Sequence, residues 1–359
     1  MIIPDNNTDE AFDEYEFCPR CEANLTLQKG YSNNLPYWIC LGCGEMLINP
    51  KIENVYDIAW ICDKCGAMLN IQQGFNEDCA EWICTECRTS NKIDYKEVYA
   101  FEDEYRADLC NPYKGVSDAD ICELSLYHDE KMVGNSSNVI LVKNCDTEEL
   151  FIKKFLTVYD KSIYEYLKDN PIENMPRIFN IYEGSNCLIL IEEYIPGVTV
   201  AELVDNKCIS EKQAISISCK VCKLLKRLHS LPTPIIHRDI KPSNIMLTDN
   251  GDVYLLDMNV AKWYSPNKND DTRYMGTDKY AAPEQVGFGL SSSSQKTDIY
   301  ALGMLLNVML TGSFPKEKKA SGVFWKIIEK CISLEAHERY TTDELILELE
   351  RIEKEYDTE

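Results

Sequence analysis

What this chain lacks narrows the field. It has no stretch of about 18 uninterrupted apolar residues, the length a membrane-spanning helix needs. It is short of basic charge: 37 Lys and Arg stand against 60 Asp and Glu, a net charge of -23. Nucleic-acid binding needs clustered Lys and Arg against phosphates, so that class is not expected. A basic protein or peptide partner suits the charge, as does plain solubility. The opening stretch, Met1 to Glu16, is acidic and has neither the basic n-region nor the apolar h-region of a secretory signal, so a cytoplasmic location is expected. Histidine is rare, four in all with none before His128, which excludes mixed Cys/His metal fingers from the first third of the chain.

Cysteine is abundant. Eight of the 17 fall in Cys-x-x-Cys pairs before residue 90 and the rest are scattered, a metal pattern more than a secreted disulfide framework. Cys18, Cys21, Cys40 and Cys43 recur 44 positions later as Cys62, Cys65, Cys84 and Cys87. Leu25, Gln28, Gly30, Tyr31, Trp38 and Ile39 recur as Leu69, Gln72, Gly74, Phe75, Trp82 and Ile83. Two residues between cysteines let a tight knuckle aim both sulfurs at one ion, and two knuckles complete a tetrahedral S4 shell suited to Zn2+. Gly44 and Gly66 follow second cysteines, where such a turn needs a permissive backbone. An S4 iron centre and a set of disulfides are the alternatives. A unit this small has too little core to fold unaided, so the metal supplies folding energy. The two units resemble zinc ribbons. Residues 1 to 116 hold 21 acidic and 9 basic residues, and each Zn(Cys)4 centre adds two negative charges, so the ribbons are expected to face protein or to be purely structural.

From about residue 118 the pattern changes to strands and then long helices. Asn138 to Lys143, Leu150 to Phe155 and Cys187 to Tyr194 read as strands. Ser210, with Gln213 three residues on, opens a helix that runs to about His229. Next comes His237-Arg238-Asp239-Ile240-Lys241-Pro242-Ser243-Asn244, which fills every defined position of the protein-kinase catalytic loop. Asp257 follows a hairpin that turns at Asn250-Gly251. Gly276-Thr277 through Ala282-Pro283-Glu284 matches the end of an activation segment, and Glu338-Arg339-Tyr340 precedes a last helix capped by Thr341 and Glu344.

By these motifs, residues 120 to 355 resemble the eukaryotic-like (Hanks-type) Ser/Thr protein kinases. The expected architecture is multidomain: two small β-rich zinc ribbons followed by an α+β bilobal kinase fold. The boundaries are an acidic tail at 1–16, ribbons at 17–50 and 61–93, a solvated linker at 94–117, an N-lobe at 118–195 and a C-lobe at 196–359. The resemblance implies ATP and Mg2+ as cofactors beside two structural Zn2+, with protein Ser/Thr hydroxyls as acceptors and self-phosphorylation as one route. It assigns Asp239 to the substrate hydroxyl, Lys241 to the transferring phosphoryl group, and Asn244 and Asp257 to Mg2+. Leu150-Phe151-Ile152-Lys153 parallels Val-Ala-Ile-Lys, so Lys153 is expected to anchor ATP, with Lys154 on the other face of its strand. Gly134 and Val139 belong to the phosphate loop, and Glu193 and Tyr194 to the adenine hinge. Thr277 favours Ser/Thr over Tyr substrates, and Arg238 suggests switching by phosphorylation at Thr272 or Ser265, unless Asp270 and Asp271 supply standing charge. Glu284 with Arg339, and Asp298, are structural.

The chain departs from the family pattern in several places. Its phosphate loop keeps one glycine, Asp-Phe-Gly reads Asp257-Met258-Asn259, and Glu192 stands at the normally apolar gatekeeper position. The helix carboxylate that should pair with the ATP lysine is Glu165, or Asp160. Eleven residues between Gly312 and Phe324 leave little room for a substrate-docking helix, a task the ribbons could assume. Cys219 and Cys222 lie within one helix and read as packing. A scaffold of the same fold without useful turnover is the rival reading. A small-molecule kinase would lack the Gly-Thr and Ala-Pro-Glu segment.

Overall fold

The structure, a computed structural model, describes residues 17–32, 37–44, 46–48, 58–95, 98, 107–108, 110–134, 137–265, 279–286 and 293–358. Thr272 and Thr277 lie outside them, as do Asp270 and Asp271. The chain forms two compact units, Met1–Asn111 and Pro112–Glu359.

The first unit holds both cysteine repeats. In the first, β1 (Tyr37–Ile39) pairs antiparallel with β2 (Met46–Ile48). In the second, β3 (Glu81–Ile83) pairs with β4 (Ser90–Lys92). Each repeat starts with a small bridged knuckle, Phe17 opposite Asn24 and Ile61 opposite Met68. Among the described residues, the buried apolar clusters are small: Cys18, Leu25 and Cys40 in one repeat, and Trp60, Cys62, Leu69, Cys84 and Ile93 in the other. That is the small core that calls for a metal.

In the second unit, Ser117 caps α1 (Asp118–Leu124). A five-stranded antiparallel sheet follows, made of β5 (Tyr127–Met132), β6 (Val139–Asn144), β7 (Leu150–Leu156), β8 (Ile178–Glu183) and β9 (Leu188–Glu193), with α2 (Lys161–Asp169) between β7 and β8. The order across the sheet is β5-β6-β7-β9-β8. Its two faces are distinct. Phe151, Tyr182, Ile189 and Ile191 share one apolar cluster with Leu124 of α1 and with Tyr113 and Val116 just before it. Leu156, Leu188, Leu190 and Ile178 face the other way, into the main core with α2. The last part of the segment expected to be a solvated linker is therefore packed. Ser185 N donates to Lys114 O at 2.7 Å, and Gly115, at φ +79, passes so close that a Cβ would lie 2.2 Å from Ser185 Oγ.

Beyond the sheet come β10 (Val198–Thr199), α3 (Val200–Asp205) and α4 (Glu211–His229), which starts at the expected Ser210–Gln213 capping box. Then follow β11 (Ile235–Ile236), β12 (Ile245–Leu247), β13 (Val253–Leu255), β14 (Lys262–Trp263), α5 (Gln295–Thr311), α6 (Gly322–Cys331) and α7 (Thr342–Thr358). Buried faces of α4, α5, α6 and α7 meet in the main core, with Cys219 and Cys222 inside it. Among the described residues, no helix is long and apolar enough to cross a membrane.

Candidate active site and metal centres

The catalytic loop is held from below by one buried carboxylate. Asp298, in the first turn of α5, accepts from His237 N at 2.9 Å and Arg238 N at 2.8 Å, and its Oδ2 lies 2.8 Å from His229 Nε2. Burial pushes the Asp298 carboxyl up, but His229, His237 and the Arg238 amide outweigh it and hold it below the usual range. Gln285 Nε2 adds a bond to Arg238 O at 2.8 Å. Arg238 sits in the left-handed region at φ 69, a backbone cost that these fixed bonds offset. The loop thereby presents Asp239. Its Oδ2 lies 2.6 Å from Lys241 Nζ and accepts from Asn244 Nδ2 at 3.0 Å.

With Asn244 Nδ2 given to Asp239, its Oδ1 is the oxygen left for a cation. Strands β12 and β13 form the expected hairpin, with Ile245 opposite Leu255. Leu256 N bonds Asn244 O at 2.8 Å, so the hairpin delivers Asp257 to the same end as Asn244. Asp257 is also left-handed, at φ 63, and accepts from Asn259 N at 3.3 Å. Two hard oxygen donors beside an aspartate and a lysine fit Mg2+ and a phosphoryl group.

The lysines fall the opposite way from expectation. The parallel with Val-Ala-Ile-Lys expects Lys153 in the cleft. Instead Lys153 lies on the sheet face covered by α1, where its Nζ contacts Asp129 Oδ1 at 2.5 Å and Tyr113 Oη at 3.2 Å. Lys154 takes the cleft face. It sits opposite Leu190, and its Nζ is 2.5 Å from Glu192 Oε1, both side chains being 9% exposed. The β7–β9 register places Ile152 opposite Glu192, and the β6–β7 register places Val139 opposite Lys154, so all four share one face. Burial would lower the Lys154 amine, but Glu192 and Asp257 raise it, so it stays charged. Burial and Asp257 push the Glu192 carboxyl up, against the pull of Lys154.

Neither expected helix carboxylate reaches this lysine. Glu165 is exposed and pairs with Lys161 at 3.5 Å, and Asp160 caps α2 by accepting from Ser162 N at 3.1 Å. Helix α2 sends Tyr164 inward instead, and its hydroxyl donates to Asn259 Oδ1 at 3.0 Å. Burial, with Asp257 and Glu192 nearby, pushes that phenol well above its ordinary value and keeps it a donor. Tyr164, Glu192, Asp257 and Met258 also line a cavity of about 20 Å³, room for roughly one water.

The remaining site residues sit around this frame. Gly134 turns between β5 and β6 at φ +71, with open space where a Cβ would lie. At the hinge, Glu193 N is already bonded to Arg177 O at 2.8 Å and its carboxylate to Arg177 N at 3.1 Å, and Tyr194 follows. Glu284 and Arg339 form a buried bidentate pair at 2.7 and 2.9 Å. Burial pushes Glu284 up, but Arg339 prevails and holds it below the ordinary range.

Both cysteine sets close into clusters whose four sulfurs lie within 4.8 Å of one another. The near pairs are Cys18–Cys43 and Cys21–Cys40 at 3.6 Å, Cys62–Cys87 at 3.5 Å and Cys65–Cys84 at 3.7 Å. A tetrahedral ion with bonds of about 2.3 Å to sulfur sets its ligands about 3.8 Å apart, whereas a disulfide needs about 2.05 Å. The clusters fit an ion. All four knuckles turn left-handed after the second cysteine, through Glu22, Gly44, Gly66 and Arg88. The repeated Gln and Trp now have a role. Trp38 Nε1 and Leu41 N donate to Gln28 Oε1, and Gln28 Nε2 donates to Cys40 Sγ at 3.4 Å. Trp82, Thr85, Gln72 and Cys84 repeat the relay, with Gln72 Nε2 3.3 Å from Cys84 Sγ. Burial raises the Cys84 thiol, but Gln72 and the Cys87 and Glu86 amides bring it to about 6, toward the thiolate a metal binds.

The model of the protein kinase domain matches residues 127–356. The chain is 32% identical over 200 residues to striated muscle preferentially expressed protein kinase of Danio rerio, covering 53% of this chain and 6% of that one. It is 30% identical over 224 residues to serine/threonine-protein kinase D of Synechocystis, covering 56% and 42%. Over 149 residues it is 32% identical to serine/threonine-protein kinase PrkC of Bacillus subtilis, covering 41% and 22%. The chain thus spans less than half the length of each of these three relatives. With the catalytic loop, the hairpin and the Glu284–Arg339 pair in one lobe and a five-stranded sheet in the other, the matched segment accounts for every element around the cleft, and the chain belongs to the protein kinase family.

Proposed function

We propose that this chain transfers the γ-phosphoryl group of ATP to Ser or Thr hydroxyls of proteins. The observation that carries the reading is the loop geometry: Asp239 Oδ2 sits 2.6 Å from Lys241 Nζ and 3.0 Å from Asn244 Nδ2. Asp239 orients the acceptor hydroxyl and takes its proton, while Lys241 offsets charge on the transferring group. Asn244 Oδ1 and the Asp257 carboxylate are the oxygens that would hold Mg2+, whose bound charge neutralises the phosphates. The Ser/Thr preference rests on Thr277 and on the Ser/Thr kinases among the relatives. The two S4 clusters would hold Zn2+, with the ribbons as docking or regulatory modules toward protein substrates, basic ones included, and the protein would act in the cytoplasm.

The test is transfer from Mg-ATP to the protein itself and to a generic basic protein, beside Asp239→Asn. Loss of transfer in the variant is expected. A folded wild type with no transfer under these conditions would refute the reading and favour a scaffold. Deleting residues 1–95 tests the ribbons; unchanged selectivity among protein substrates would sink their docking role.

A further inference from the structure

Transfer by kinases depends on a strand lysine that meets the nucleotide phosphates and is held by a helix carboxylate. Two features of this chain look like faults beside that scheme. Helix α2 offers Lys154 no acid, and an acid occupies the strand position where an apolar group is expected. The structure makes them one arrangement. We propose that Lys154, not Lys153, is the nucleotide-anchoring lysine, and that Glu192 of β9 is the carboxylate that positions it. This inference rests on the kinase reading above and identifies residues of the same site.

Four observations carry it. Lys153 is turned to the α1-covered face of the sheet and is engaged there by Asp129 and Tyr113. Lys154 and Glu192 lie diagonally across neighbouring strands on the cleft face, 2.5 Å apart at their charged ends. Glu192 lines the same small cavity as Asp257, the proposed Mg2+ ligand, which places the pair beside the phosphate end of the site. Finally, α2 turns Ile163, Tyr164 and Leu167 inward, none of them an acid, and the Tyr164 hydroxyl is given to Asn259. Glu192 and Asn259, both departures from the family pattern, thus each have a partner beside one cavity that Tyr164 and Glu192 line: the acid has moved from helix to strand, and the helix instead holds the residue two beyond Asp257. Glu192 is a positioning residue, since it acts through Lys154. The pair with Glu192 gives Lys154 a defined geometry, and a phosphate oxygen can share the ammonium as a further acceptor.

The experiment uses the intact wild-type chain and an ATP analogue whose terminal phosphate carries an acyl group. The nearest lysine amine attacks the acyl carbon and the nucleotide leaves, so peptide mapping reads which lysine lies beside the phosphates, with no turnover required. Labelling of Lys154, competed by Mg-ATP, is expected; labelling of Lys153 instead, or of neither, overturns the assignment. For Glu192, the variant Glu192→Gln should lower kcat for transfer at least tenfold while KM for ATP moves less, and Glu192→Asp should recover part of the loss. A Glu192→Gln enzyme with wild-type kcat overturns its role. If the wild type transfers nothing yet Lys154 is labelled, the kinase reading fails and the anchoring stands; a Lys154 labelling rate unchanged in Glu192→Gln would then overturn the part given to Glu192. Should the Gln variant fold poorly, the double variant Lys154→Met, Glu192→Met removes both charges and restores packing. Mg-ATP binding by that folded double variant as tight as wild type would likewise overturn the proposal.

Discussion

Replacing Arg339 by Leu gives the sharpest stability test, because the structure allows the consequence to be worked out group by group. The guanidinium is fully buried, and its five N–H donors are all used. They go to both oxygens of Glu284 and to the carbonyls of Ser333, Lys296 and Leu334. Leucine removes every one and strands a carboxylate that is 4% exposed, with Thr297 Oγ1 at 2.8 Å as its remaining side-chain donor. Removing one member of a buried pair costs about 3–5 kcal/mol. A unit of this size loses about 2–4 °C per kcal/mol, so its Tm should fall by roughly 6 to 20 °C. The sign of the pH dependence follows. In the wild type Arg339 depresses the Glu284 carboxyl, so its contribution is present at neutral pH and is lost as the pH falls through that lowered value. In the variant, burial is opposed only by the weaker pull of the Thr297 hydroxyl and the Glu284 amide, so the carboxyl rises, and acidification protonates it and relieves the defect. Calorimetry of the intact chain at pH 7 and pH 5 should therefore show the gap between wild type and Arg339→Leu narrowing at the lower pH. A drop under about 3 °C at pH 7, or a gap that widens on acidification, would refute the reasoning.

Three further outcomes are expected. Metal analysis of purified protein should find two zinc ions per chain in colourless solution, and Gln72→Ala should weaken zinc at the second cluster by about 10–100-fold in a chelator titration, because the amide that donates to Cys84 is gone. Gly303→Ala should destabilise the kinase unit by about 1–3 kcal/mol in urea unfolding, since a Cβ there would lie 2.4 Å from Cys331 Cβ in the packed α5–α6 contact.

Much of this molecule is legible in its residues, and the exceptions share a cause. The catalytic loop could be read because its residues are neighbours in sequence, and one carboxylate, Asp298, fixes them together. The S4 clusters could be read because the knuckle spacing is local chemistry. Helix starts at Ser210 and Thr341 were visible as capping boxes, which close within four residues. Lys153 and Lys154 are different. Adjacent lysines look alike in sequence, and which one enters the cleft depends on pairing with a strand more than thirty residues away. A signal did exist: Phe151 and Phe155 flank Lys153 at alternate positions, and an aromatic row suits the face that α1 and Tyr113 cover. The role of Tyr164 was hidden because its partner, Asn259, is a tertiary contact. The Gln–Trp recurrence was plain in the repeats, yet its meaning needed the hydrogen bonds to sulfur.

The placement of Lys154 and Glu192 on adjoining strands of one sheet has a consequence for control. A lysine and a carboxylate carried by separate bodies can be parted by swinging one of them, and that swing is a ready off-switch. Here both charges ride on hydrogen-bonded neighbours, β7 and β9, and no rigid-body excursion of α2 can pull them apart. Displacing the helix would break the bond between Tyr164 and Asn259 and release the segment that carries Asp257. Any throttle acting through α2 would therefore work on the Asp257 side of the cleft, leaving the Lys154–Glu192 pair intact throughout.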